Sequence, residues 1–417
     1  MVQSLKYCLK SKLFWVYVAF ATLAFFKQLL SESLLIDSLE YTKKASFLFE
    51  NWIASNIEID RFLEPMRRTV GYPLIIKSLF FNHYAIYLLQ TLISLCVPIV
   101  LHKFCEKYKY HQNIWSVSML LLLTYPSQFF YGAFLMPDIL CQFLLLLLFF
   151  TYFEGHWRAF PLILTGLILL KPVFLIFLIF PIILFFLKLY KLSLFDLIPI
   201  LVVCMLSLNN YKQYKIFTYS SVGTTNAYDY NRKILLLLQY NETEIERMYD
   251  IENSELNQLS GNFEAQKSYM DGKTIPVLLK LKYWFIHFRG MAVTFIDPGR
   301  YDAMVFLDWN KSSGFMGVND GNVKKALPWW QMVYMVIFVV FAIFKFVFAV
   351  YATFQWRRHQ LVWFFAIVIL LLAFIAGPVG SARYLLPVYP LMAFLSALGF
   401  LTFLKNNSKI ESFITQR

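Results

Sequence analysis

The sequence predicts an all-α protein that crosses a membrane about ten times. Of its 417 residues, 59% are hydrophobic and 15% are charged, whereas soluble domains average about 45–50% apolar and about 25% charged residues. Apolar runs such as 361–377 are too long for buried strands and suit membrane spans. Basic residues recur in alternate loops between these runs, as in polytopic membrane proteins. Together these observations exclude a disordered, collagen-like or ordinary cytosolic protein.

The apolar runs divide the chain into spans and loops. The predicted spans are 13–30, 83–102, 113–128, 138–153, 159–170, 172–187, 193–208, 329–353, 360–377 and 385–404. The predicted sections are therefore a cytoplasmic N-terminal segment with the first span (1–30), an external loop with juxtamembrane helices (31–82), a transmembrane bundle (83–208), a second external loop (209–328), the C-terminal spans (329–404) and a cytoplasmic tail (405–417).

Two segments need a physical argument. As one helix, 159–187 would be about 43 Å long, against a hydrocarbon core of about 30 Å. We therefore divide it at Lys171. The apolar stretch 278–297 carries four basic residues, and one unpaired charge at mid-bilayer costs roughly 2.5–3.5 kcal/mol. We expect it to form a helix that lies in the outer interface.

Loop charge sets the orientation. Lys6, Lys10 and Lys12 precede the first span, so the N-terminus is predicted to be cytoplasmic. With ten spans the C-terminus is cytoplasmic as well. Every short loop then predicted to lie inside is basic, through Lys103, Lys107, Lys109, Arg158, Lys188, Lys191, Arg357, Arg358, Lys405 and Lys409.

Acidic and basic residues gather at the predicted outer boundary. Asp37, Tyr41 and Lys44 share one helical face, because they lie at i, i+4 and i+7. The remaining boundary residues are Arg67 and Arg68 before Gly71-Tyr72-Pro73-Leu74, Asp138 after Met136-Pro137, Lys171, and Arg383-Tyr384. Each has an ordinary alternative role, since Arg and Lys snorkel at span ends and Asp caps helices.

Taken together, these residues match the needs of a phosphate-linked, lipid-borne substrate. Guanidinium groups neutralise a leaving phosphate through forked contacts. A carboxylate accepts the proton of an attacking hydroxyl. The sequence therefore predicts a phosphate site beside Asp37 and Asp138, and it gives no reason to expect a nucleic-acid partner.

Metal chemistry is not indicated. The five cysteines have no paired spacing and the six histidines are scattered. The second external loop mixes strand-like and helical stretches. Its Tyr- and Asn-rich segment 219–231 favours a carbohydrate-facing surface, although these residues are also common in loops.

Four short motifs recur in order along the chain and carry a resemblance. They are Asp37-x3-Tyr41-x3-Ala45, Arg68-x2-Gly71-Tyr72-Pro73-Leu74, Asn210-Tyr211 and Arg383-Tyr384-x2-Pro387. Over about residues 10–400 the chain resembles the GT-C membrane glycosyltransferases, in the branch of the protein O-mannosyltransferases and the lipid A aminoarabinose transferase. The resemblance implies a GT-C-like bundle that transfers a sugar from a polyprenyl-phosphate donor outside the cytoplasm.

The resemblance also implies residue roles. Asp37 matches the catalytic aspartate, the general base of an inverting displacement. Arg67 or Arg68, Lys171, and Arg383 with Tyr384 match the donor phosphate region, and Asp138 matches an acidic position of the second external turn. Tyr41 and Tyr72 are further candidates. The scheme needs no divalent metal or other cofactor, because the basic cluster neutralises the phosphate.

Departures from the family leave the sugar and the acceptor open. Asp37 is followed by Ser38 where mannosyltransferases carry a second acid, and Val70 begins a turn that differs from that of the aminoarabinose enzymes. The acceptor could be a glycan, a lipid or a protein, within cell-envelope glycan biosynthesis at a bacterial inner membrane. The alternative is a transporter or flippase of a lipid-linked or anionic substrate, which would place ionisable residues at mid-bilayer and break its helices.

Overall fold

The computed structural model describes residues 2–48, 64–108, 111–186, 190–297, 299–307 and 329–407. Within these ranges the chain is helical and contains no strand, so the strand-like character expected in 209–328 is wrong for its described part. Parts of both predicted external loops (49–63 and 308–328), most of the predicted tail (408–417), and Lys109, Lys188 and Lys409 lie outside the described residues.

The first half of the chain combines long helices with short connecting ones. Its α-helices are α1 (Val2–Lys10), α2 (Lys12–Leu30), α3 (Ile36–Phe47), α4 (Glu64–Arg67), α5 (Gly71–Ser78), α6 (His83–Cys105), α7 (His111–Leu123), α8 (Ser127–Ala133), α9 (Asp138–Phe153), α10 (Ala159–Leu170), α11 (Ile179–Phe186) and α12 (Leu197–Tyr214). Two 3₁₀ segments, Pro172–Leu178 and Leu194–Asp196, precede α11 and α12.

The second half adds a polar helical section and three more long helices. Its α-helices are α13 (Val222–Asn226), α14 (Lys233–Leu236), α15 (Glu242–Gln258), α16 (Phe263–Leu278), α17 (Leu281–Ile296), α18 (Arg300–Phe306), α19 (Trp329–Gln355), α20 (Gln360–Ala376) and α21 (Tyr389–Asn407). A π-helix, Ala227–Arg232, joins α13 to α14, and 3₁₀ segments Gly377–Val379 and Ala382–Val388 join α20 to α21.

Six helical segments of the described chain are long and apolar enough to cross a membrane, and they indicate an integral membrane protein. They are Lys12–Leu30, His83–Cys105, Leu194–Tyr214, Trp329–Gln355, Gln360–Val379 and Arg383–Lys405. The pair α8 and α9, bent by 110°, would make a seventh. The ten predicted spans are thus not confirmed, because helices such as α7 and α10, of 13 and 12 residues, are too short by this measure.

The loops predicted to be cytoplasmic lie at one end of the bundle. Three contacts join them there: Ser4 Oγ to Glu106 Oε1 at 2.8 Å, Lys107 Nζ to Glu154 Oε1 at 3.1 Å, and the Tyr108 hydroxyl to His359 Nδ1 at 3.3 Å. Helices α2, α10 and α20 run from this end toward Asp37, Lys171 and Arg383, which lie close together at the other end.

Helix α21 forms the centre of the bundle and packs against α7 and α19. Helix α17, predicted near 278–297, packs against α20 and the Gly377–Val379 turn. At that contact a Cβ added to Gly290 would lie 2.5 Å from the Gly377 carbonyl oxygen. Glycine is therefore needed at position 290 for α17 to approach the turn next to the site.

Candidate active site

A cavity of about 530 Å³ opens at the end of the bundle opposite the basic loops. Three parts of its wall differ in chemistry. The charged side chains are Asp37 of α3, Arg67 and Arg68 at the end of α4, Lys171 just after α10, and Arg383 of the 3₁₀ segment Ala382–Val388. Apolar side chains come from the Pro172–Leu178 segment, α20 and its following turns, and polar uncharged ones come from the stretch 218–231.

Asp37 lies between two arginines. Its Oδ1 accepts from Arg68 Nη2 at 2.5 Å and its Oδ2 accepts from Arg383 Nη2 at 2.6 Å. Asp37 is in the first turn of α3, where the helix dipole stabilises a negative charge. The carboxylate is thus held on both sides by charge-assisted hydrogen bonds.

Glu40 extends the charged network along α3. It lies one turn after Asp37, and its Oε2 accepts from Arg68 Nε at 2.6 Å. Arg67 Nε lies 3.6 Å from the same oxygen and has no hydrogen-bond partner among the described residues, although Arg67 is only 4% exposed. Glu40 is not among the residues predicted from the sequence, although its i+3 spacing from Asp37 places it on the same helix face.

A second acid–base pair lies behind the first. Asp138 is fully buried in the first turn of α9, and its Oδ1 accepts from Lys171 Nζ at 2.6 Å. Arg383 Nε is 3.9 Å from the same oxygen, so Arg383 connects the two acids. Asp138 Oδ2 has no hydrogen-bond partner among the described residues. Asp138 does not line the cavity. It contacts Lys171 and lies close to Arg383, and these two side chains do line it.

The charged network has a small positive excess. Three carboxylates (Asp37, Glu40, Asp138) face four cations (Arg67, Arg68, Lys171, Arg383). Unpaired buried charges are costly, whereas alternating acids and bases satisfy one another. The excess cation makes the cavity a suitable place for an anion.

Burial and pairing act in opposite directions on the titrating groups. Burial alone would raise the pKa of Asp37, but Arg383 and Arg68 hold that pKa well below its usual range. Burial would lower the pKa of Arg68, and the carboxylates beside it raise that pKa instead. Burial, with the neighbouring Arg68, lowers the pKa of Lys44 to about 8. Asp37 is therefore ionised at neutral pH in this arrangement.

The three candidate tyrosines occupy different positions. Tyr41 lines the cavity, and its ring centroid is 5.1 Å from Arg68 Cζ. Tyr384 also lines the cavity. Tyr72 lies behind Tyr41, fully buried, and donates to Gln90 Oε1 at 2.7 Å. Lys44, on the predicted face of α3, donates to the Arg68 carbonyl oxygen and so braces the chain that carries Arg68.

Asp302 forms a buried cluster next to the site that the sequence did not reveal. It accepts from the Ser127 hydroxyl at 2.7 Å and from the Tyr131 hydroxyl at 2.8 Å. Tyr301, its neighbour on α18, lines the cavity. No periodicity or motif singles out these two residues, so only the tertiary structure identifies them.

In the part of the chain that the structure describes, no group of three or more His, Cys, Asp or Glu side chains could hold a metal ion. The carboxylates near the cavity are instead paired with Arg and Lys.

Comparisons with protein-family models, curated proteins and solved structures give no match for this chain.

Proposed function

We propose that this protein is a membrane glycosyltransferase with a GT-C-like bundle of about ten membrane segments. It would transfer a sugar from a polyprenyl-phosphate donor to a hydroxyl of a glycan, lipid or protein. One observation carries the proposal: a single cavity joins a carboxylate, a cluster of guanidinium groups and an apolar wall. These are the groups that a base, a phosphate and a polyprenyl chain require.

The mechanism is a single displacement with inversion. The acceptor hydroxyl attacks the anomeric carbon while the bond from that carbon to the phosphate oxygen breaks. Asp37 takes the hydroxyl proton, and polyprenyl phosphate leaves with the bonding electron pair. Arg67, Arg68, Arg383 and Lys171 stabilise the charge that develops on the phosphate, so the scheme requires no divalent metal.

The paired state of Asp37 gives the donor phosphate a second role. With both oxygens bound to guanidinium groups, Asp37 is a weak base in the empty site. The phosphodiester of the bound donor, a monoanion, competes for the same guanidinium donors. Donor binding would therefore loosen the hold on Asp37 and raise its basicity when the acceptor arrives.

The location follows from the loop charges. The basic loops gathered at the opposite end of the bundle would face the cytoplasm. The cavity would then open to the periplasmic or extracellular side of a bacterial inner membrane. Such a site receives its donor from the bilayer, since a polyprenyl chain does not leave the hydrocarbon phase.

The decisive test incubates the purified chain with polyprenyl phosphates that carry different sugars and measures the release of free polyprenyl phosphate. We expect release from at least one donor, and Asp37→Asn should reduce it roughly 100-fold or more while the protein stays folded. Asp250→Asn, a change of the same kind at an exposed position of α15, is the control and should keep full activity. Near-normal turnover by Asp37→Asn would contradict the assignment of the base.

Two observations favour the alternative function of a transporter or flippase. Lys345 is 1% exposed within α19, and its Nζ lies 3.3 Å from Thr124 Oγ1. Ionisable groups inside membrane helices often belong to transport pathways, and α8 and α9 form a sharply bent pair. Movement of a fluorescent lipid phosphate across proteoliposome membranes, without loss of its sugar, would support transport instead.

A further inference from the structure

The polar uncharged part of the cavity wall has no role in the displacement. Five residues compose this surface, which we call the polar wall: Thr218, Ser220, Asn226, Tyr230 and Asn231. It belongs to the segment 219–231 and the residue before it. The facing apolar wall includes Val173, Leu175, Leu372, Ile375 and Pro387. The cavity therefore has two chemically distinct sides, with the charged network between them.

A buried clamp holds the polar wall in place. Arg232, at the end of the π-helix Ala227–Arg232, donates to both oxygens of Glu252 at 2.6 Å each. The Tyr228 hydroxyl donates to Glu252 Oε2 at 2.6 Å, and the Tyr249 hydroxyl donates to the Tyr228 carbonyl oxygen at 2.9 Å. Arg232 and Glu252 are 4% and 5% exposed. Breaking this ion pair would leave an uncompensated buried charge, so the pair holds the end of the π-helix against α15.

The clamp divides the π-helix into two faces. Tyr228 and Arg232 point into the packed cluster with α15 and α16, while Tyr230 and Asn231 line the cavity. The wider π turn is frequent at functional sites, because it redirects side chains out of the α-helical register. Asn231 Nδ2 lies 3.4 Å from the Tyr283 hydroxyl, which ties this edge of the polar wall to α17.

We propose that the polar wall binds the sugar of the donor, and that this sugar is an uncharged, hydroxyl-rich hexose or pentose. The inference rests on the proposed function. With the phosphate at the arginines and the polyprenyl chain along the apolar wall, the sugar is left to the third side of the cavity. Hydroxyl and amide groups there donate to and accept from sugar hydroxyls, and the Tyr230 ring packs against a pyranose or furanose face.

The charge of the cavity narrows the sugar class further. None of the five polar-wall side chains is charged. An aminosugar would bring a positive charge to a wall that offers no carboxylate, and the nearby Asp37 is already bound by Arg68 and Arg383. A neutral sugar has no such cost. The polar wall thus selects against cationic sugars.

The test measures the affinity of the full chain in nanodiscs for three probes. They are undecaprenyl phosphate, the same lipid phosphate bearing glucose, and the same lipid phosphate bearing an aminosugar. The wild type should bind the glucosyl lipid most tightly. Tyr230→Phe and Asn226→Ala should each lower the affinity for the glucosyl lipid. Together they should lower it about tenfold or more. The affinity for bare undecaprenyl phosphate should stay unchanged.

Matched control variants separate a selective loss of sugar binding from general destabilisation of the protein. Tyr240→Phe and Asn257→Ala make the same changes at exposed positions that do not line the cavity, and they should leave all three affinities unchanged. Arg232→Lys keeps the charge but loses the fork. It should lower the affinity for the glucosyl lipid but not the affinity for bare undecaprenyl phosphate. General destabilisation of the protein would not alter the ratio of these two affinities.

Three results would overturn the inference. If the two polar-wall variants lower the affinities for bare and glucosyl lipid equally, these residues contact the phosphate instead. No change in either would remove them from donor binding and leave the polar wall to the acceptor. If the wild type binds none of the lipid phosphates, the proposed function itself fails and this inference falls with it.

Discussion

Asp302 illustrates how strongly a single residue can depend on its surroundings. It accepts hydrogen bonds from the Ser127 and Tyr131 hydroxyls, and the charges of Asp297 and Arg383 act on it. Burial, together with the nearby Asp297, raises the pKa of Asp302 to about 7, and the two hydroxyls and Arg383 offset only part of this. An unfolded chain would hold this carboxyl at about 3.9. The folded protein therefore binds an extra proton between these two pH values.

This difference predicts a pH-dependent stability. Because the folded chain binds more protons, raising the pH from about 4 to about 7 should favour the unfolded state and remove stability. In Asp302→Asn the group no longer titrates, and the amide still makes hydrogen bonds with the two hydroxyls. We expect the melting temperature of the wild type, relative to Asp302→Asn, to fall as the pH rises from about 5 to about 8. A constant or rising difference over that range would contradict the assignment.

At the scale of elements, α19 and α21 depend on one glycine. A Cβ added to Gly399 would lie 2.0 Å from the Phe348 carbonyl oxygen and 3.1 Å from the Ala352 nitrogen. The two helices are thus in backbone contact, as small residues permit in membrane bundles. The 3₁₀ segment that carries Arg383 leads directly into α21, so this packing also sets the position of the site.

Gly399→Ala should therefore destabilise the protein. The added methyl group must separate the two helices, and overpacking of this kind costs about 1–3 kcal/mol. Gly272→Ala is a matched control, because nothing lies within 4 Å of a Cβ at this exposed helical position. There the same change should be neutral or stabilise by up to about 1 kcal/mol. Thermal unfolding in detergent measures both effects. A melting temperature of Gly399→Ala equal to that of the wild type would refute the close approach of the two helices.

At the scale of the whole molecule, the orientation of the two ends is open to a direct test. Gly223 lines the cavity with open space around it, and Arg358 is exposed in a turn at the opposite end. In a chain in which the exposed Cys204 is replaced by Ala, a cysteine at either position reports its side of the membrane. We expect Gly223→Cys in intact spheroplasts to react with a sulfonated maleimide added outside. Arg358→Cys should react only after permeabilisation, and the opposite pattern would reverse the predicted topology.

The sequence by itself determined the helical membrane class and the positions of the long apolar helices. Lipid offers backbone N–H and C=O groups no hydrogen-bond partners. A long apolar run inside the membrane therefore forms a helix, which satisfies these groups within the segment. The number of spans did not follow, because hydropathy cannot tell a crossing helix from a short or bent one packed inside the bundle, such as α8 with α9. The strand-like expectation in 209–328 failed for a related reason, since local residue preference gave way to helix packing around Arg232 and Glu252.

The candidate site depended on both the sequence and the tertiary structure. The residue types and their boundary positions marked Asp37, Arg68, Lys171 and Arg383 as candidates, because charges at membrane boundaries stand out against apolar sequence. Only the tertiary structure decided that Arg383 would bind Asp37 across 346 residues, that Asp138 would lie behind the cavity, and that Glu40 would join the network. Ion pairs between distant segments are fixed by how whole helices pack, and no local pattern encodes that packing.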